Sequence, residues 1–135
     1  MPVTRKYTFG REERLKNSIR IGRLIAGGNT LTIYPFKVFW DFPDSDDQTI
    51  PVKTAISVPK KNFRKAVDRN LIKRRLREAY RKNKFILIDA LTEKHIHVIL
   101  IILYLPKKIL DYNEIHTGCI RLLKELSLII CGSHE

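Results

Sequence analysis

The sequence predicts a single α+β domain, an α/β sandwich whose elements run helix, strand, strand, strand, helix, strand, helix. Three observations carry this. Residues 31–42 and 50–58 are rich in aromatic and β-branched residues and alternate in polarity, as strands with one buried face do. Residues 67–84 contain no Pro or Gly and sort their apolar side chains onto one helical stripe. Residues 96–105 are a run of mainly Ile, Val and Leu, the pattern of a strand buried on both faces. A chain of 135 residues that is 44% hydrophobic suits one domain with a modest core and argues against global disorder.

Residues 1–10 read as a loosely ordered basic lead-in. Residues 11–26 read as the first helix, with Leu15, Ile19, Ile21, Leu24 and Ile25 as its apolar face; Gly22 interrupts it and Gly27-Gly28-Asn29 ends it. In residues 31–42 Pro35 breaks the run, so pairing starts at Phe36, and the first two strands divide either at Pro35 or in the acidic turn that follows. Phe36, Val38 and Trp40 then share one face, and Lys37, Phe39 and Asp41 the other. Phe39 either packs under a helix or serves as a stacking platform for unpaired bases. Asp41, Asp44, Asp46 and Asp47 surround Pro43 in what reads as a solvated turn between antiparallel strands; the stretch lacks the Gly and the closing Glu of a calcium loop. In residues 50–58, Val52, Thr54, Ile56 and Val58 alternate with Lys53, Ala55 and Ser57, and small Ala55 leaves room beside Lys53 and Ser57 for a polyanion. Residues 85–91 either extend the long helix or start another. Residues 111–130 read as the last helix, capped by Asp111 or Asn113, with Ile115, Cys119, Leu122, Leu123, Leu126 and Ile130 as its packing stripe.

Charge is concentrated in residues 59–84, which hold twelve Lys or Arg against Asp68 and Glu78 and so account for ten of the net twelve positive charges. Within the helix, Ile72, Leu76, Ala79 and Tyr80 fall in one arc. Ala66, Asn70, Lys73, Arg74, Arg77 and Arg81 fall in another; Arg69 lies beside the apolar arc, and Arg75 and Lys82 point away from both. No row of acids at i+4 neutralises the arginines, whose planar forks suit phosphate oxygens. A polyanion is the partner such a surface fits.

Other chemistry is absent. His95 and His97 share a side of a strand edge but have no Cys or carboxylate at ligand spacing, His116 on the last helix and His134 in the tail read as surface histidines, and no phosphate-binding glycine motif or nucleophile elbow occurs. No catalytic or protein-bound metal site is expected. Cys119 and Cys131 lie too far apart along one helix to bridge, so reduced thiols in a cytoplasmic protein are expected. The opening residues lack a signal-peptide pattern, and the longest apolar run, 98–105, is too short to span a bilayer.

The basic helix also resembles the signature helix of the bacterial ribonuclease P protein family. Arg69, Asn70, Lys73, Arg74, Arg77 and Glu78 match its Arg-Asn-Arg-x-Lys-Arg-x-x-Arg-Glu pattern, with Leu71 where the family has its second arginine. Ser57-Val58-Pro59-Lys60-Lys61 is similar to the family's strand end and basic loop, and Arg14-Leu15-Lys16 and Gly28 to its opening helix. Ile21 and Ile25 stand where the family has cleft-lining aromatics, which keeps an apolar wall but loses ring surface for stacking. The resemblance is densest over 55–81, weaker over 14–58, and topological after 95. It implies one domain over 1–135, with a left-handed βαβ crossover through the basic helix. It also implies a protein that is non-catalytic alone and binds no cofactor itself. The catalytic RNA subunit would hydrolyse a phosphodiester with Mg2+, removing the 5′ leader of precursor tRNA, and no stable protein partner or membrane is implied. Lys60, Lys61, Arg64, Lys65, Arg69, Asn70, Lys73, Arg74, Arg77 and Arg81 become the contacts to the RNA subunit. Tyr34, Phe36, Phe39, Lys53 and Ser57 become candidates for a cleft that takes the single-stranded leader.

A ribosomal or other structural RNA-binding protein is the alternative, separated by the Arg69-to-Glu78 spacing and by substrate. A DNA-binding basic helix fits less well, because no heptad zipper follows Arg81.

Overall fold

A computed structural model describes residues 7–43 and 50–132. A 3-10 turn, Arg11–Glu13, leads through an extended segment to helix α1, Ser18–Gly27. Strands β1, Asn29–Ile33, β2, Phe36–Asp41, and β3, Val52–Ser57, follow. Helices α2, Ala66–Asn83, and α3, Phe85–Glu93, precede β4, Val98–Tyr104, and the closing helix α4, Tyr112–Gly132. The sheet order is β1-β2-β4-β3; β1-β2 and β2-β4 are antiparallel and β3-β4 parallel. The first two strands divide at Tyr34-Pro35 and not in the acidic turn, and pairing begins before Phe36, since Asn29–Ile33 already pairs with β2. The acidic turn is no hairpin, because β4 lies between β2 and β3. Its Asp44, Asp46 and Asp47 lie outside the described residues.

One sheet face carries Phe36, Val38, Trp40, Val52, Val98, Leu100, Ile102 and Tyr104 into the main core, where α2, α3 and α4 cover them. The predicted stripe of α2 supplies Ile72, Leu76, Ala79 and Tyr80, each with 0% exposure, and the predicted stripe of α4 is buried throughout. Burial of this kind contributes roughly 25 cal/mol per Å2 of apolar surface and dominates the stability of such a domain. Tyr80 keeps its hydroxyl satisfied at depth by accepting from Thr54 Oγ1 at 2.9 Å. Asp111 is the cap of α4, its Oδ1 accepting from the Glu114 amide at 2.9 Å.

The other sheet face is covered only in part. Leu15, Leu24, Ile99 and Ile101 form a second, smaller cluster under α1, with Ile21, Phe39 and Ala55 at its margin. Helix α1 begins later than its apolar spacing suggests. Asn17 caps it, accepting from the Ile19 and Arg20 amides, while Arg14 pairs with Thr54 in a parallel bridge and Leu15 donates its amide to the Thr54 carbonyl. Leu15 thus reaches the core from an extended segment, and Ile19 and Ile25 face solvent. The glycine at 28 is required by close approach, since a Cβ there would lie 2.6 Å from the Leu24 carbonyl oxygen.

Lys84 keeps helical backbone angles yet ends α2 and begins α3. Its side chain turns inward, 3% exposed, to Glu13 at 2.5 Å and to the Thr8 carbonyl. Tyr7 and Phe9 pack edge-on against Phe85 and Tyr80. The N-terminal segment is thereby strapped across the α2-α3 junction.

Candidate nucleic-acid interface

The first surface is the outer side of α2 with the loop that leads into it. Asn70, Arg74 and Arg77 are exposed and Lys73 is half-buried; Lys60, Lys61, Arg64 and Lys65 are exposed in the loop. Among the described residues their side chains form no ion pair or hydrogen bond. Burial of the opposite stripe fixes the helix's rotation, so these groups point outward together. A cationic face without internal partners keeps its full charge for an external anion.

Two predicted contact residues are already engaged. Arg69 donates from Nη1 to the Phe63 and Arg64 carbonyls at 2.8 and 2.9 Å, fastening the basic loop to the first turn of α2. Arg81 pairs with Glu78 at 2.5 Å and donates to the Tyr7 carbonyl. The bond from Arg81 holds the Glu78 carboxyl below its ordinary range, and Glu78 in turn raises Arg81. Arg69 and Arg81 thus act within the fold, and the free cations lie between them and in the loop.

The second surface is the part of the sheet that α1 leaves open. Strand register lines up Lys53 with Ile99 and Asp41, then Ala55 with Ile101 and Phe39, then Ser57 with Leu103 and Lys37. Helix α1 lies over the first row, where Arg20, Arg23 and Leu24 line a hollow with Asp41, Phe42 and Ile99. The rows bearing Phe39 and Ser57 are half-exposed beside it. Phe39 packs at the margin of the small cluster and carries Lys37 Nζ 5.2 Å from its ring centre, so it supports the sheet and still offers an edge. Lys53 shares a second hollow with Arg14, Lys16, Asn17 and Arg20. The concentration of Arg20 and Arg23 with Lys53 is invisible in sequence, because it depends on where α1 lands.

Phe36 and Tyr34 leave this group. Phe36 is fully buried in the main core, on the face opposite Phe39, because it is one strand residue out of phase with Lys37. Tyr34 is 58% exposed in the β1-β2 turn and lines a groove with Leu110, Asp111 and Glu114 at the start of α4, on the side of the helical layer.

No group of three or more His, Cys, Asp or Glu side chains among the described residues is arranged to hold a metal ion. His97 is tied through Nδ1 to the Ile50 carbonyl at 3.1 Å, His116 lies against the Tyr112 ring, and His95 is exposed in the left-handed region, φ 55°. His134 lies outside the described residues.

Comparison with known proteins agrees with this architecture. The Ribonuclease P family pattern matches residues 9–127. The ribonuclease P protein component of Porphyromonas gingivalis is 33% identical over 115 residues, 84% of this chain and 83% of that one. That of Chlorobaculum tepidum is 44% identical over 70 residues, 52% of this chain and 43% of the relative. The structure of the Staphylococcus aureus RNase P protein superposes with a TM-score of 0.66 at 23% identity, covering 84% of this chain and 94% of that one. The Thermotoga maritima RNase P protein gives 0.65 at 22%, covering 84% and 96%. The order of elements expected from sequence is that of these folds, and a family match across most of the chain settles the assignment: the chain belongs to the ribonuclease P protein family.

Proposed function

We propose that this chain works as the RNA-binding subunit of the ribonuclease P endoribonuclease, gripping the catalytic RNA through α2 and its preceding loop. The half-open sheet rows bearing Phe39, Lys37 and Ser57, with Lys53 beyond them, receive the single-stranded 5′ leader of precursor tRNA. Hydrolysis belongs to the RNA and its Mg2+ ions, and the protein alone cleaves nothing. Its place of work is the cytoplasm; both cysteines are free, and no helix among the described residues is long and apolar enough to cross a membrane.

The observation that carries this reading is the unneutralised face of Asn70, Lys73, Arg74 and Arg77, continuous with Lys60, Lys61, Arg64 and Lys65. Replacing Lys73, Arg74 and Arg77 together by Ala removes charge without touching the buried stripe. Affinity for ribonuclease P RNA is expected to fall roughly 100-fold at physiological salt, with a shallower salt dependence and unchanged circular dichroism. Unchanged affinity would refute the assignment of this face.

A further inference from the structure

Strands β3 and β4 are parallel neighbours, with Ser57 beside Leu103. The segments that follow them therefore leave the sheet at the same end. One is the basic loop into α2. The other, residues 105–111, carries Lys107 and Lys108, both exposed. These two lysines lie outside the densest part of the signature, and the reading above gives them no role.

This second loop is firmly built. Leu105 donates its amide to the Pro35 carbonyl at 3.0 Å. Tyr104 Oη donates to the Lys108 carbonyl at 2.7 Å and accepts from the Leu110 amide at 2.9 Å. Arg75 of α2 donates to the Leu110 carbonyl at 2.6 Å. The ring of Tyr104 lies 5.9 Å from that of Phe63, which stands in the middle of the first basic loop. The backbone of 105–110 is thus held by α2, by the β1-β2 turn and by the root of the neighbouring loop, while the side chains of Lys107 and Lys108 form no ion pair or hydrogen bond among the described residues. The nearest acids in sequence face other tasks or sides: Asp111 caps α4, and Glu114 lines the groove with Tyr34. The arrangement fixes the backbone that carries the two cations, so binding an anion there needs no ordering of the loop itself.

We infer that Lys107 and Lys108 form a second phosphate-contacting ridge, parallel to the Lys60–Lys65 loop, so that a run of RNA backbone is held between the two loops at the open end of the sheet. Arg75, which faces neither the core stripe nor the cationic stripe, is the positioning residue that sets this ridge against α2. The inference rests on the RNA-binding reading above and extends its footprint to a segment outside the signature helix. The strand held there is either part of the RNA subunit or the start of the leader, since both offer the same phosphates.

The test compares four full-length proteins: wild type, Lys107→Ala/Lys108→Ala, Lys107→Arg/Lys108→Arg, and Lys94→Ala/Lys124→Ala. The last makes the same change in charge, with Lys94 beyond α3 at the far end of β4. Each is titrated with ribonuclease P RNA over a salt series, and then, as assembled complex, with precursor tRNA bearing a long or a minimal leader. For the Lys107/Lys108 alanine pair we expect about a tenfold loss of affinity in one titration and a salt slope shallower by about 1 to 2. The arginine pair retains wild-type binding. Loss with the free RNA subunit identifies that RNA as the partner; loss confined to the long-leader precursor identifies the leader. An alanine pair that behaves like Lys94→Ala/Lys124→Ala in both titrations overturns the inference while leaving the α2 assignment intact. A wild-type protein with no salt-dependent affinity for either RNA overturns the underlying reading instead.

Discussion

Arginines that look alike in the signature pattern do different physical work. Arg74 and Arg77 are exposed, whereas Arg69 holds two carbonyls of the preceding loop. Arg69→Ala is therefore expected to lower folding stability by about 1–2 kcal/mol, measured by denaturant titration, because charge-assisted bonds to backbone are lost. Arg74→Ala should leave stability within about 0.5 kcal/mol. Equal stability losses in both would contradict the division. The spacing of the motif shows which residues share a face but not which of them meet a folded-back loop, and that is why Arg69 and Arg81 stand among the sequence-derived contacts. Phe36 fails for a different reason: alternation already sets it opposite Phe39, and only the packing of the helices shows that its face of the sheet is the closed one. Cys119 offers a test by pH. Burial pushes its thiol up to about 12 from the ordinary 9. The native state thus favours the protonated form. Its contribution to stability is complete below pH about 9 and is lost as pH rises from there toward 12. Alkylation at pH 8.5 should modify half-buried Cys131 and spare Cys119 until the protein unfolds; equal labelling of both in the native state would contradict the packing of α4.

At the scale of elements, the α2-α3 junction is the feature least visible in the chain. Neither Pro nor Gly marks it, and Lys84 stays in helical conformation, so the break has no local signature. What marks it is a buried lysine, and sequence patterns assign lysine to solvent. Its ion pair with Glu13 straps the N-terminal segment over the junction and helps hold the extended Arg14-Leu15 stretch that bridges to β3. Lys84→Ala strands the Glu13 carboxylate in a site that is 19% exposed, and a loss of about 2 kcal/mol is expected. Adding Glu13→Gln should recover part of it, and the two substitutions should be clearly non-additive in a double-mutant cycle. Additivity would mean that the strap is not a coupled unit. Strand pairing was legible in part. The doubly buried β4 follows from local pattern, whereas that pattern leaves the first strands to divide either at Pro35 or in the acidic turn. The insertion of β4 between β2 and β3 does not follow from it, because it depends on contacts across the intervening helices.

At the scale of the molecule, the parallel pairing of β3 and β4 turns a linear concentration of charge into a surface. It brings the roots of two basic loops together and directs them, with α2, toward the end where the sheet face is open. Net charge and the basic stretch announce a polyanion in the sequence alone; the second loop joins that surface only once the strands are paired. On the proposed reading this surface acts as a clamp on RNA, and its action is measurable as rate. The most direct measurement adds the purified protein to a bacterial ribonuclease P RNA and a precursor tRNA at low magnesium and follows cleavage at the mature 5′ end. The account predicts faster cleavage with both components, none with protein and magnesium alone, and loss of the stimulation in the Lys73/Arg74/Arg77 alanine protein. An unchanged rate on adding the wild-type protein, or site-specific cleavage by the protein without RNA, would contradict it.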